Sequence, residues 1–310
     1  MITIGIIGLG HMGGFHAAIV QQLAHAKLIG IADHTIAHFE KIQNPDVIKT
    51  TDYTEWINNV DAVIIAVPTD LHFLIGKDCL QRGKHVLIEK PLTRTVKQAE
   101  ELFALAKKHN LVLHVGHVER FNAAIKHLKE IIHEPYFIES HRLGPFTHRP
   151  VNDSVIIDLM IHDIDIILSL INSPVRKSSI IGSNIKTDKC DLAALSLNFD
   201  NNALAKVVSS RTSHKRKRTM RVHQKNCYID LDFATQEIVI HRLEANNTEN
   251  SHSTYQETVE HLKIPKVNAL ELEILYFLQA ISTGMHMFNP EHDISALALA
   301  IQVESELARC

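Results

Sequence analysis

The sequence has little that would staple, anchor or charge it. Only four cysteines occur in 310 residues, Cys79, Cys190, Cys227 and Cys310, and none stand in CxxC spacing. That argues against a disulfide scaffold or a zinc ribbon, and reduced thiols in a cytoplasmic protein are expected. No uninterrupted apolar run approaches the roughly 18 residues a membrane span needs. No basic stretch precedes the first apolar run at Ile2, so no secretory leader is expected either. The net charge is only −3, with a pI near 6.7, which gives no electrostatic case for nucleic acid or a membrane surface. The 22 histidines are scattered singly, and there is no H-E-x-x-H motif, clustered carboxylate, internal repeat or low-complexity tract.

What is present is ordinary for a globular protein: 45% apolar and 22% charged residues, in a chain long enough for two domains. The first third alternates β-branched runs ("ITIGIIGLG", "KLIGIAD", "DAVIIAVP", "HVLIEKP", "LVLHVGH") with helical periodicity over Met12–His25, Thr54–Asn58, Leu71–Arg82 and Val96–His109. This alternation predicts a parallel α/β sheet with right-handed crossovers. Beyond about residue 120 the pattern changes. A helix over Asn122–Ile132 and a strand over Tyr136–Leu143 lead into the apolar segment Ser154–Ser169. Strands follow near Arg176–Ile185, Leu192–Phe199, Ala203–Thr212, Lys217–His223, Tyr228–Phe233 and Glu237–Arg242, then helices over Asn268–Ser282 and Ile294–Ala308. The expectation is α/β: a Rossmann dinucleotide-binding domain over 1–120, then an α+β domain over 121–310 with an open, mainly antiparallel sheet for substrate binding and oligomerisation.

"GIIGLGHMGGFH" places Gly8, Gly10 and Gly13 in G-x-G-x-x-G spacing between a strand and a helix. Glycines serve the tight turn, close approach of backbone to a pyrophosphate and helix-on-strand packing, while the helix start donates N–H groups to phosphate. Asp33 closes the second strand 20 residues past Gly13. A carboxylate there accepts the ribose hydroxyls and repels a 2′-phosphate. His34 and Thr35 follow, with no Arg or Lys to hold that phosphate, so NAD is favoured over NADP.

Four motifs in order resemble the glucose–fructose oxidoreductase, inositol dehydrogenase and rhizopine-catabolism family of nicotinamide-dependent oxidoreductases. They are the glycine loop, "AVPTDLH" with Pro68 and His72, "EKP" at Glu89–Pro91, and Asp158 with His162 in a D-x-x-x-H pair. "VGHVERFN" (Val115–Asn122) resembles the branch that oxidises nucleotide sugars, such as UDP-N-acetylglucosamine 3-dehydrogenases. The resemblance implies cofactor contacts from Gly8, Gly10, His11, Met12, Gly13, Asp33, Pro68, Thr69, His72, Glu89 and Lys90. It also implies a cis Lys90–Pro91 bond, a sugar, nucleotide-sugar or polyol substrate, and a homodimer or homotetramer formed through the open sheet. Two departures stand out. The run of glycines that often precedes the Asp/His helix is here "NDSVII", and Ala123 replaces a proline.

Oxidising a secondary alcohol needs a base for its proton and a path for hydride to the nicotinamide. Lys90, at the carboxyl end of a strand, can hydrogen-bond the hydroxyl and stabilise alkoxide charge; the alternative is a surface lysine in a turn. In "SVIIDLMIHDIDIILS", Ser154, Asp158, His162, Asp165 and Ser169 follow helical spacing and are expected to form one stripe, with Asp163 off it in a local salt bridge or hydrogen bond. Asp158, one turn before His162, can orient an imidazole as general base. A structural network and a metal pair remain alternatives, although no third metal ligand is apparent and none is assigned. Asp165 is a candidate sugar contact. His117 and Arg120 are candidate substrate contacts, or members of an interdomain salt bridge. The basic run His214–Arg221 reads as a solvated edge strand, since no aromatic residues interleave it. A non-catalytic dinucleotide sensor on the same fold is the rival from another class.

Overall fold

Six short runs in the first third of the chain pair in parallel into one sheet. They are β1 (Ile2–Ile7), β2 (Ala26–Ala32), β3 (Ile48–Thr50), β4 (Ala62–Ile65), β5 (His85–Glu89) and β6 (Leu113–Gly116), in the order β3-β2-β1-β4-β5-β6. This doubly wound order reverses between β1 and β4, which makes the crevice beyond their carboxyl ends the place for a ligand. Every residue of β4 is buried, as a parallel strand covered on both faces requires. Helices α1 (His11–Val20), α2 (Thr69–Gln81) and α3 (Val96–Lys108) are crossovers; Thr95 caps α3 by accepting the Gln98 N–H at 3.3 Å. The helix expected over Thr54–Asn58 is instead two 3₁₀ turns, Tyr53–Glu55 and Ile57–Asn59, folded around the fully buried Trp56. The computed structural model describes residues 1–147, 153–246, 254–285 and 288–307. Asn152, Ala308 and Cys310, which entered the expectations above, lie outside them.

After α4 (Ala123–Ile131) comes β7 (Phe137–Leu143). A five-residue π turn, Ile156–Met160, then runs straight into α5 (Ile161–Leu170). Seven further strands follow: β8 (Val175–Ser183), β9 (Leu192–Phe199), β10 (Leu204–Ser210), β11 (Lys217–Gln224), β12 (Cys227–Asp232), β13 (Glu237–Asn246) and β14 (Thr254–Leu262). With β7 they form an eight-stranded sheet ordered β14-β13-β12-β11-β7-β10-β9-β8, in which only β7 and β10 pair in parallel. The π turn packs on β10, and α5 packs on β7 and β10. The opposite face carries a ladder of rings on neighbouring strands, Phe137, His223, Tyr228 and His241, with Tyr228 stacked on His241 at 4.2 Å. Two helices, α6 (Ala269–Thr283) and α7 (Pro290–Leu307), close the described chain.

The chain divides into two compact units, Met1–Val118 with Leu270–Ala298, and Glu119–Ala269 with Leu299–Cys310. The first break falls close to the expected residue 120. Residues 270–298 group with the first unit. The basic run is corrected. Lys217–Gln224 is not an edge strand but lies between β12 and β7, because its alternate residues Met220 and Val222 are apolar and fill a buried face. Cys79, Cys190 and Cys227 are buried and unbridged. Among the described residues no helix is long and apolar enough to cross a membrane.

Candidate functional site

The three loop glycines have different reasons to be glycine. Gly8 has φ +89°, and a Cβ there would lie 2.5 Å from the Ala66 carbonyl oxygen. A Cβ on Gly13 would lie 1.8 Å from the carbonyl oxygen of Gly8, so this glycine lets α1 approach the loop. At Gly10 an added Cβ meets no atom within 4 Å. The middle glycine therefore borders open space at the start of α1, beside the exposed His11 and half-buried Met12. No side chain caps that start and its first turn holds no acid. Uncapped N–H groups at the positive end of a helix suit a diphosphate, so the residues present fit a bound dinucleotide.

Asp33 closes this loop from β2. Its Oδ2 accepts the Leu9 N–H at 2.5 Å, its Oδ1 accepts the Thr35 N–H at 2.7 Å, and His38 Nδ1 stands 3.1 Å from Oδ2. Partial burial pushes the carboxyl pKa up, but the two amide donors and His38 outweigh it and hold it below the ordinary carboxylate value. The loop is also met by Lys41, whose ammonium donates to the carbonyls of Leu9 at 2.6 Å and Gly10 at 3.3 Å. No carboxylate pairs with Lys41 among the described residues. His34 and Thr35, directly after Asp33, supply no cation. The 3₁₀ turn Ile36–Lys41 brings one back from eight positions on.

The P-x-x-x-H and EKP turns are tied together. Pro68 precedes α2 and Thr69 begins it. The buried His72 places Nδ1 2.8 Å from the Pro91 carbonyl and Nε2 2.9 Å from the Val67 carbonyl. Burial depresses the pKa of this ring, and the two carbonyls and the Glu89 charge only partly offset it. A neutral ring donates to one carbonyl at a time. Glu89 is likewise turned inward, with Oε1 2.7 Å from Nε2 of the fully buried His16 on α1. Burial would raise its pKa, yet the His16 hydrogen bond and the charges of His16 and Lys90 hold it below the ordinary value. His72 and Glu89, both expected as cofactor contacts, thus have partners inside the protein. Both are buried by their own partners and fix the turn that carries Lys90. Lys90 is half-buried and the Lys90–Pro91 peptide is cis. His117 follows β6 and is buried, with a carboxylate oxygen of Asp293 within 4.8 Å of its ring nitrogen.

In the second unit the expected polar stripe does not run as one face. The i→i+5 winding of Ile156–Met160 changes the angular step before α5 begins. Ser154 is buried and donates to Glu304 Oε1 at 2.5 Å, Asp158 is exposed, and His162 is half-buried in the first turn of α5. Asp165 is buried and accepts both Nε (2.8 Å) and Nη2 (2.5 Å) of Arg120, and Ser169 bonds back to the Ile166 carbonyl. Arg120 and Asp165, each expected as a substrate contact, thus face one another within one unit. Asp163 makes the local bridge expected of it. It accepts Ser140 Oγ at 2.6 Å and Arg142 Nε at 2.7 Å, while Arg142 Nη1 reaches Glu119 Oε1 at 2.7 Å. Burial works against the Arg142 charge, but the two carboxylates outweigh it and raise its pKa above the ordinary arginine value.

Residues 2–117 match the model of an oxidoreductase family described as having an NAD-binding Rossmann fold, and residues 130–229 match the GFO/IDH/MocA C-terminal domain. A UDP-N-acetylglucosamine 3-dehydrogenase of Acidithiobacillus ferrooxidans is 32% identical over 286 residues, covering 92% of this chain and 90% of that protein. The chain belongs to the GFO/IDH/MocA oxidoreductase family. A solved structure of the UDP-N-acetylglucosamine 3-dehydrogenase GnnA from the same organism superposes with a TM-score of 0.91 at 30% identity, covering 99% of this chain and 98% of that one. Myo-inositol 2-dehydrogenase of Thermotoga maritima is 27% identical over 229 residues, 68% of this chain and 69% of that protein. The chain is thus an NAD-binding oxidoreductase with the Rossmann and mainly antiparallel sheets expected of it. Sequence reasoning missed three residues that hold the glycine loop, Asp33 and Glu89 in place: His16, His38 and Lys41. Only His16 left a trace, as a lone polar residue on the apolar side of α1.

Proposed function

We propose that this oxidoreductase transfers hydride between NAD and a secondary hydroxyl of a nucleotide sugar of the UDP-N-acetylglucosamine class. The observation that carries this reading is the near full-length match to a protein of that activity, in sequence and in fold. Bound NAD supplies the hydride acceptor. Lys90 is assigned the hydroxyl proton and the developing alkoxide charge. His162 is assigned to relay that proton, with Asp158 orienting the imidazole. Gly8, Gly10, His11, Met12, Gly13, Asp33, Pro68 and Thr69 are assigned to the cofactor, and His117 to the substrate. The same reading makes the chain a cytoplasmic homodimer or homotetramer joined through the open sheet face, where the Phe137–His223–Tyr228–His241 ladder offers aromatic surface. Inositol oxidation is the second reading, favoured by the match to myo-inositol 2-dehydrogenase.

The test is NADH formation with UDP-N-acetylglucosamine, free N-acetylglucosamine and myo-inositol in parallel. Turnover is expected with the nucleotide sugar, and Lys90→Met and His162→Asn should each lower kcat by about 10²–10⁴. Turnover with inositol alone selects the second reading. Tight NAD binding with no turnover on any of the three favours a dinucleotide sensor.

A further inference from the structure

Residue parity along β11 divides its side chains cleanly. Met220, Val222 and Gln224 face the helices and are buried, whereas Arg221 points to the open side and pairs with Asp230 at 2.6 Å. By the same alternation Arg218 lies on the helix-covered side. Its cross-strand partner on β7 is Arg142, so two guanidinium groups stand directly opposite one another on one face. Like charges in that relationship destabilise a sheet unless something negative sits between them. The carboxylates within reach are already committed, since Glu119 and Asp163 both bind Arg142. No side-chain hydrogen bond or ion pair joins Arg218 to any described residue. Arg216, two residues earlier, adds a third positive charge, and partial burial followed by the Arg142 charge depresses the Arg218 pKa. Three guanidinium groups against two carboxylates leave an excess of positive charge. Both Arg216 and Arg218 keep exposed surface, so an anion can reach them from solvent. This group lies beside the first turn of α5, because Asp163 is part of it and the next residue back is His162.

We propose that Arg218, assisted by Arg216, binds the diphosphate of the nucleotide-sugar substrate. A planar guanidinium fork matches phosphate oxygens in bidentate fashion, and two arginines suit two adjacent phosphates. The site sets substrate class: it holds a nucleotide diphosphate and contributes nothing toward inositol or a free sugar. The inference rests on the nucleotide-sugar reading given above, and UDP separates the two because it has no hydroxyl that the enzyme oxidises in the proposed reaction.

Calorimetric titration of UDP and of uridine into the NAD-saturated protein tests it. Wild type should bind UDP, Arg218→Gln should weaken that binding at least tenfold, and Arg216→Gln should weaken it less. Uridine binding should not change. Arg221→Gln, on the opposite face, should match wild type, and NAD affinity of every variant reports that its fold is kept. Arg218→Lys, which keeps the charge but loses the fork, should fall between wild type and Arg218→Gln. Equal UDP affinity in wild type and Arg218→Gln overturns the assignment and leaves the substrate reading intact. A wild-type protein that binds NAD but not UDP overturns both.

Discussion

Arg120 and Asp165 form a buried two-toothed ion pair, Nε to Oδ2 at 2.8 Å and Nη2 to Oδ1 at 2.5 Å, with side chains 3% and 2% exposed. Such a pair adds little over apolar packing, but breaking it strands one charge in a dry interior. Asp165→Ala is therefore expected to destabilise the second unit by about 3–5 kcal/mol, measured as a lowered urea midpoint. The double variant Arg120→Met/Asp165→Leu should lose clearly less than the sum of the single variants. Simple additivity would rule out a coupled pair.

The glycine loop makes a sharper contrast. Gly10→Ala should fold with stability within about 0.5 kcal/mol of wild type, since its Cβ meets nothing within 4 Å. It should nonetheless weaken NAD binding at least tenfold by filling the space where the backbone meets the diphosphate. Gly13→Ala drives a Cβ toward the Gly8 carbonyl and should cost stability of about 1–3 kcal/mol, with NAD binding lost through distortion of the loop. Thermal melts and fluorescence titration of NAD separate the two effects. Unchanged NAD affinity in Gly10→Ala would place the cofactor elsewhere.

Lys41 and Asp33 both hold Leu9, one by its carbonyl and the other by its N–H. Lys41→Met removes a cation that has no carboxylate partner beside the helix start. NAD should bind about tenfold more weakly, with a shallower dependence on salt. Asp33→Ser should reduce the preference for NAD over NADP. If Lys41→Met loses stability while its NAD affinity and salt dependence stay as in wild type, the lysine serves only as a clasp for the loop.

How much of this could be read from the chain varies with the kind of signal. The parallel sheet was legible because its buried strands are continuous β-branched runs and its phosphate loop needs glycine at fixed offsets. β14 was missed because an edge strand as polar as "TYQETVEHL" lacks the alternation that marks a half-buried one. The π turn at Ile156–Met160 has no sequence period of its own, so the stripe drawn through Asp158, His162 and Asp165 assumed α winding throughout. Partnerships between distant positions were the least visible. Nothing local shows that His16 meets Glu89, that Arg120 meets Asp165, or that Lys41 returns to Leu9.

Asp191 gives a pH test of the second unit. Its Oδ2 accepts N–H groups of Ile185 (2.9 Å), Lys186 (2.6 Å) and Thr187 (2.9 Å), and Thr187 Oγ1 donates to Oδ1 at 2.8 Å. Burial pushes this carboxyl up, but the three amides and the hydroxyl pull harder, and its pKa falls from 3.8 to about 2. A pKa depressed in the folded state contributes stability that is fully present above the unfolded value. That contribution is lost as pH drops through the folded value. Wild type should therefore lose stability between about pH 4 and pH 2 through this group, whereas Asp191→Asn has no such proton to take up. At neutral pH Asp191→Asn should unfold at lower urea than wild type, and the gap between them should narrow on acidification. A gap that stays constant across that range would show that the loop does not depend on an ionised Asp191.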